Sequence, residues 1–124
     1  MRSAEDRRGA NGQGARAENL AILLLRLKLY SILDRRYSVR GGEIDIVARR
    51  GDTIAFVEVK VRPTLDEARC AITSAKRRRL SRAARVSLAA NPRATGLTLR
   101  GDAVFIAPWR WPVHLPAAIE LEID

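Results

Sequence analysis

"GGEIDIVARRGDTIAFVEVKVRP", Gly41 to Pro63, sets two apolar-rich runs on either side of Gly51-Asp52. A glycine followed by aspartate between such runs is a hairpin signal. A turn centred between them places Asp45 opposite Glu58 and Glu43 opposite Lys60. Side chains alternate along a strand, so Ile44, Ile46, Ala48, Ala55, Val57 and Val59 share one wholly apolar face and belong to a core. The other face carries Val47, Ile54 and Phe56 near the turn. At its open end stand Glu43, Asp45, Glu58 and Lys60.

Like charges directly opposite one another destabilise a sheet, and two crowded carboxylates push a pKa upward. Two readings of the acidic end stay open. Asp45, Glu58 and Lys60 form a local salt-bridge cluster, or the carboxylates hold a hard cation such as Mg²⁺, which takes oxygen ligands and keeps several waters.

Outward from the hairpin, Gly14 to Asp34 carries apolar residues at helical spacing, with Ile22, Leu25 and Leu29 on one stripe. Glu18 begins that stripe, as an inward acid or as a first-turn complement to the helix dipole. Residues 1–12 read as a flexible basic tail and residues 13–124 as one domain. "RRYSVR" reads as a strand before the hairpin. Thr64 and Glu67 have capping-box spacing, and a second start at Thr73 or Ser74 predicts a helix broken near Ile72. Asn91-Pro92 ends it. "GDAVFIA" reads as a further strand, and "WRWPVHLPAAIELEID" as a short proline-punctuated tail. The order α-β-β-β-α-β predicts an α/β fold, a mixed central sheet flanked by helices.

The chain has 124 residues, a net charge of +9 and a pI near 11.1. So basic a domain points to a polyanionic partner, nucleic acid first. No stretch approaches the ~20 apolar residues of a membrane span, and the beginning of the chain lacks the apolar centre of a signal peptide. The single cysteine, Cys70, reads as a small apolar residue. It leaves no disulfide framework and no Cys/His zinc spacing, which fits a reducing cytoplasm. Arg78, Arg82 and Arg85 share one helical face, opposite Leu80, Ala84 and Leu88. With Lys76 they form a candidate phosphate-backbone contact, or a solvated face. Trp109 and Trp111 either stack on bases or cover a sheet edge. His114 is read as neither catalytic nor a ligand.

Asp45, twelve intervening residues and then Glu58-Val59-Lys60 resembles the PD-(D/E)XK nuclease motif. The longer string resembles the YraN family of bacterial proteins, itself similar to Holliday junction resolvases. "GQGARAENLAILLLRLKLYSIL" resembles that family's first helix, with Glu18 at its acidic position. "SAKRRRLSRAARVSL" resembles its basic helix with Lys76, and "RGDAVFI" its later strand with Arg100 and Asp102. Leu29 stands where a glycine is usual, Arg36 where asparagine is, Ala75 where proline is, and Gly101 where an aromatic is.

The resemblance implies a restriction-endonuclease-like core and Mg²⁺- or Mn²⁺-dependent phosphodiester hydrolysis in branched or structured DNA, with one or two ions. It implies metal ligands at Asp45, Glu58, Glu18 and the Val59 carbonyl, with Lys60 orienting the attacking water. A symmetric junction cutter would also have to form a homodimer. The competing expectation is a non-catalytic nucleic-acid-binding or ribosome-associated protein that retains the fold.

Overall fold

The computed structural model describes residues 4–94 and 96–122, with side chains from Gly14 onward. Helix α1 runs Ala4–Leu27, and strands β1 (Ser31–Val39), β2 (Gly42–Arg50) and β3 (Thr53–Val61) follow. Two helices, α2 (Leu65–Cys70) and α3 (Ser74–Ala90), lead to β4 (Thr98–Ile106) and β5 (Val113–Ile119). The strands lie in sequence order in one sheet. Only the β3–β4 pair is parallel, and its crossover is made by α2 and α3. The expected α/β order therefore holds, with one strand added at the end.

Both faces of the sheet are buried. Ala21, Ile22 and Leu25 of α1 pack on Ile46, Ala48, Ala55, Val57 and Val104. On the other side Leu80, Ala83 and Ala84 of α3 pack on Val47, Ile54, Phe56 and Phe105. This explains why the hairpin is apolar on both faces near its turn. Ile44 departs from the expected pattern and joins the α3-side cluster with Val47 rather than Ile46. The β2–β3 ladder ends at Ile46–Val57 while β2 stays paired with β1 as far as Gly42, so beyond Ile46 no β3 pairing holds β2 to its alternation. Gly42 marks where α3 comes closest: a Cβ there would lie 2.4 Å from the Arg79 carbonyl oxygen.

The helix ends follow local chemistry. Thr64 accepts from the Glu67 N–H at 3.1 Å, and Thr73 from the Lys76 N–H at 3.2 Å. The predicted break near Ile72 is thus two capped starts. Helix α1 differs from its predicted span at both ends. It begins at Ala4, so the part of the expected tail from Ala4 to residue 12 is helical, while residues 1–3 lie outside the described residues. It stops at Leu27, and Ser31 to Asp34, expected as helix, belong to β1. The end is a Schellman turn: Tyr30 N–H donates to the Leu25 carbonyl at 3.0 Å and Leu29 N–H to that of Arg26 at 2.9 Å.

Leu29 is consequently no member of the inward stripe. It takes φ 70° and is 81% exposed, while Tyr30 enters the core. That backbone region penalises a side chain by roughly 1–2 kcal/mol, and an exposed Leu29 has little packing to lose. Leu29→Gly is expected to raise stability by about 1 kcal/mol in urea unfolding, with an unchanged m-value. Arg36 likewise takes φ 52°. Both departures from the family's usual residues therefore fall at left-handed positions, where glycine and asparagine are the least costly.

The last strand is the feature that the proline concealed. Pro116 lies in β5, which is an edge strand and so tolerates it. The β4–β5 register shifts between Gly101 and Ala103, and Ala117 takes φ 57° there. Gly101 faces Ile119 so closely that a Cβ would lie 2.4 Å from its carbonyl oxygen. An aromatic residue at 101 is therefore incompatible with this β5.

Candidate functional site

Beyond Ile46 and Val57 the Asp45 carboxylate replaces the missing ladder contact. It accepts the Val59 backbone N–H at 2.7 Å. Glu58 and Lys60 are buried, 6% and 7% exposed, and their charges meet at 2.9 Å. Asp45, Glu43, Ile44, Val59 and Val61 line a cavity of about 370 Å³ that Gly14, Ala17 and Glu18 of α1 close from the opposite side. Glu43 and Asp45 of the hairpin and Glu18 of the helix thus flank one space, built where two strands separate, while Glu58 and Lys60 are not among its lining residues.

Its electrostatics follow from that construction. Burial and then the Glu58 charge push the Asp45 carboxyl up to about 7, against the opposing Val59 N–H and Lys60 ammonium. A protonated or shared carboxyl is one response to such crowding, and a bound cation is another. Glu18 is buried as expected for an inward residue, but both its oxygens are engaged: Arg35 Nε donates at 3.1 Å and Arg36 Nε at 2.9 Å. These arginines were missed in the sequence, where "RRYSVR" registers only as a strand. The signal that could have found them is the unusual arginine at a left-handed position, Arg36. Glu43 is half exposed and faces Arg79 at 3.7 Å rather than Lys60 or Arg62.

Among the described residues no three acidic, histidine or cysteine side chains converge closely enough to enclose a metal ion. The donors that fit a hydrated Mg²⁺ are the Asp45 and Glu58 carboxylates and the Val59 carbonyl, hard oxygens on two adjoining strands, with water completing the shell. Glu18 would join only by releasing Arg35 or Arg36.

The basic helix divides. Lys76 sits beside Lys60, and that neighbouring charge, followed by burial, lowers its pKa. It therefore belongs to the acidic end of the sheet and not to the arginine face. Arg78, Arg82 and Arg85 are exposed. Arg82 donates to the Arg40 carbonyl at 2.6 Å, and Arg85 to the Glu122 carbonyl. Cys70, expected as a small apolar residue, is an exposed free thiol. The tryptophans do not cover a sheet edge: Trp109 is 102% and Trp111 89% exposed.

Arg100 and Asp102 lie apart from the cavity. Arg100 holds the wholly buried Asp102 carboxylate with bonds of 2.7 and 2.8 Å, His114 Nε2 lies 2.8 Å from it, and Ala117 N–H donates at 3.0 Å. Burial alone would raise the Asp102 pKa, but the bonds to His114, Arg100 and Ala117 hold it below the ordinary carboxylate value. Arg100 also reaches the Tyr30 hydroxyl, and Lys28 reaches the far side of the His114 ring. This network ties the end of α1, β4 and β5 together. His114 is part of it as a structural partner of Asp102, which no local sequence pattern announces.

Among the described residues no helix is long and apolar enough to cross a membrane. Residues 17–106 match the model of the uncharacterised protein family UPF0102. A UPF0102 protein of Methylocella silvestris is 66% identical over 122 residues, covering 98% of each chain. One from Methylorubrum extorquens is 60% identical over 116 residues, covering 94% of this chain and 91% of its own. One from Methylobacterium nodulans is 58% identical over 120 residues, covering 97% and 93%. The matched segment contains the acidic hairpin, the Glu18 turn of α1 and the Arg100–Asp102 pair, and the chain belongs to the UPF0102 family.

Proposed function

We propose that the protein is a Mg²⁺- or Mn²⁺-dependent phosphodiesterase acting on nucleic acid, branched or structured DNA first. The observation that carries this reading is a pair of acids on adjoining strands: Asp45 at the wall of an open cavity, and near it the buried Glu58, paired with Lys60. Crowded, buried carboxylates cost the fold free energy, and a bound divalent ion would offset that cost. When bound, such an ion supplies a Lewis acid and a hydroxide source near neutral pH.

The chain's own residues have separable roles. Asp45 and Glu58 would hold the ion with the Val59 carbonyl. The Val59 N–H fixes one Asp45 oxygen and so aims the other. Lys60, paired with Glu58 at 2.9 Å, would offer its ammonium to a phosphate oxygen or to the attacking water. Lys76 adds positive charge beside it. Arg78, Arg82 and Arg85 offer donors to the phosphate backbone.

The second reading is a nucleic-acid-binding or ribosome-associated protein that does not cut. It is favoured by the engagement of Glu18 with Arg35 and Arg36, which leaves the third acid occupied.

Calorimetric titration with Mg²⁺ and Mn²⁺, wild type beside Asp45→Asn/Glu58→Gln, separates the two. The proposal expects binding in the wild type alone and cleavage of a branched DNA substrate that falls by roughly 10²-fold or more in the variant. Absence of metal binding even with DNA present would overturn it in favour of the non-cutting reading.

A further inference from the structure

The β4–β5 connection carries Trp109, Arg110 and Trp111, all exposed. Their position follows from the sheet. β3 and β4 run parallel with Lys60 beside Phe105 and Val61 beside Ile106, so the chain leaves β4 at the same end of the sheet as Glu58 and Lys60. Arg62 N–H still bonds the Ile106 carbonyl at 3.1 Å, which anchors the base of the loop beside a further exposed arginine. An aromatic–arginine–aromatic tip therefore stands at that end of the sheet, where Arg110 lines a separate cavity with Pro63, Leu65 and Asp66.

Two observations oppose an incidental surface. An indole with its whole area in water is a poor use of a large apolar side chain. Trp109 also takes φ 61°, a backbone region costly for a bulky residue. A loop that holds a tryptophan outward at such a cost is arranged for something to cover it. The surrounding charge identifies the chemistry. Arg110 stands between the two tryptophans in sequence, Arg62 is bonded to the base of the loop, and the chain as a whole carries +9. A partner with flat apolar rings on a polyanionic backbone satisfies both features.

We propose that this loop is a stacking platform for unpaired bases, so that the protein engages a single-stranded segment at the Glu58–Lys60 end of the sheet. The inference rests on the nucleic-acid reading above but not on cleavage. Stacking needs no base identity, because every base offers a π-face. It selects for strand ends, junctions and gaps over intact duplex, whose bases are already stacked.

The protein supplies its own reporter, since Trp109 and Trp111 are its only two tryptophans. Oligothymidylate is titrated into full-length protein without metal, with a duplex of equal length in parallel. The expected result is quenching of indole emission by the single strand but not by the duplex. Trp109→Ala and Trp111→Ala should each weaken single-strand binding about 5- to 150-fold, as followed by anisotropy of a labelled oligonucleotide. Trp→Phe at either position should restore most of the affinity, and the salt dependence should stay as in the wild type, because no phosphate contact is lost. Unchanged emission together with unchanged affinity overturns the proposal. So does a Trp→Ala variant that alters the protein's sedimentation at rising concentration while leaving oligonucleotide binding intact, which would assign the loop to a second copy of the chain. Stacking without metal binding would sink the phosphodiesterase reading alone. Cleavage without stacking would sink this one alone.

Discussion

Asp102→Ala is expected to lower stability by about 3–5 kcal/mol, the range for removing one partner of a buried, hydrogen-bonded charge pair. The carboxylate receives Arg100, the Ala117 N–H and the His114 ring. Its loss leaves the Arg100 guanidinium facing a buried space and the β5 bulge without its acceptor. Thermal unfolding should shift down by roughly 10–20 °C. Amide exchange should accelerate most in β5, which is held to the sheet on one side only. Asp102→Asn should recover little of this, because its NH₂ group would face donors. The pH dependence has a definite sign. The folded-state pKa is depressed, so the stabilisation is present above the ordinary carboxylate value and is lost as pH falls through the folded one. A change below 1 kcal/mol in Asp102→Ala would show that β5 is held by its backbone ladder alone.

Asp45→Asn should do the reverse. Asparagine keeps an acceptor for the Val59 N–H and removes a charge that burial and Glu58 oppose. The Asp45 carboxyl titrates at about 7 in the folded state against 3.8 ordinarily. Between those values the folded protein binds more protons than the unfolded chain, so wild-type stability falls as pH rises from about 4 to about 7 and levels off above. Without metal, Asp45→Asn is therefore expected to gain roughly 2–4 kcal/mol at pH 8 and little at pH 4. Urea unfolding at both pH values checks it. Addition of Mg²⁺ should stabilise the wild type and not the variant, by the linkage between binding and folding. A large loss of stability in Asp45→Asn at pH 8 would mean that the carboxylate is held by Lys60 as a salt bridge and that no cation is needed.

The two cases mark where the sequence was legible. The hairpin, its register near the turn and the apolar character of both faces follow from alternation about Gly51-Asp52. Strand periodicity and turn chemistry are local, so a single chain displays them. The two capped helix starts at Thr64 and Thr73 are legible for the same reason, and so is the prospect that Glu18 faces inward. Even the left-handed positions of Leu29 and Arg36 are marked, because other residues are usual there.

What the tertiary structure decided is how distant groups share space. β5 was hidden because Pro116 argues against a strand unless the strand lies on an edge, and edges exist only once a sheet is assembled. The pairing of His114 with Asp102 crosses from β5 to β4 through a bulge whose position depends on that edge. Arg35 and Arg36 reach Glu18 only because β1 passes beside α1. The separation of β2 from β3 beyond Ile46, which turns a face of like charges into a cavity, is equally a property of the assembled sheet. Local sequence determined which residues carry charge and which are apolar. Packing decided which charges meet, because the distances between them are set by elements that lie far apart along the chain.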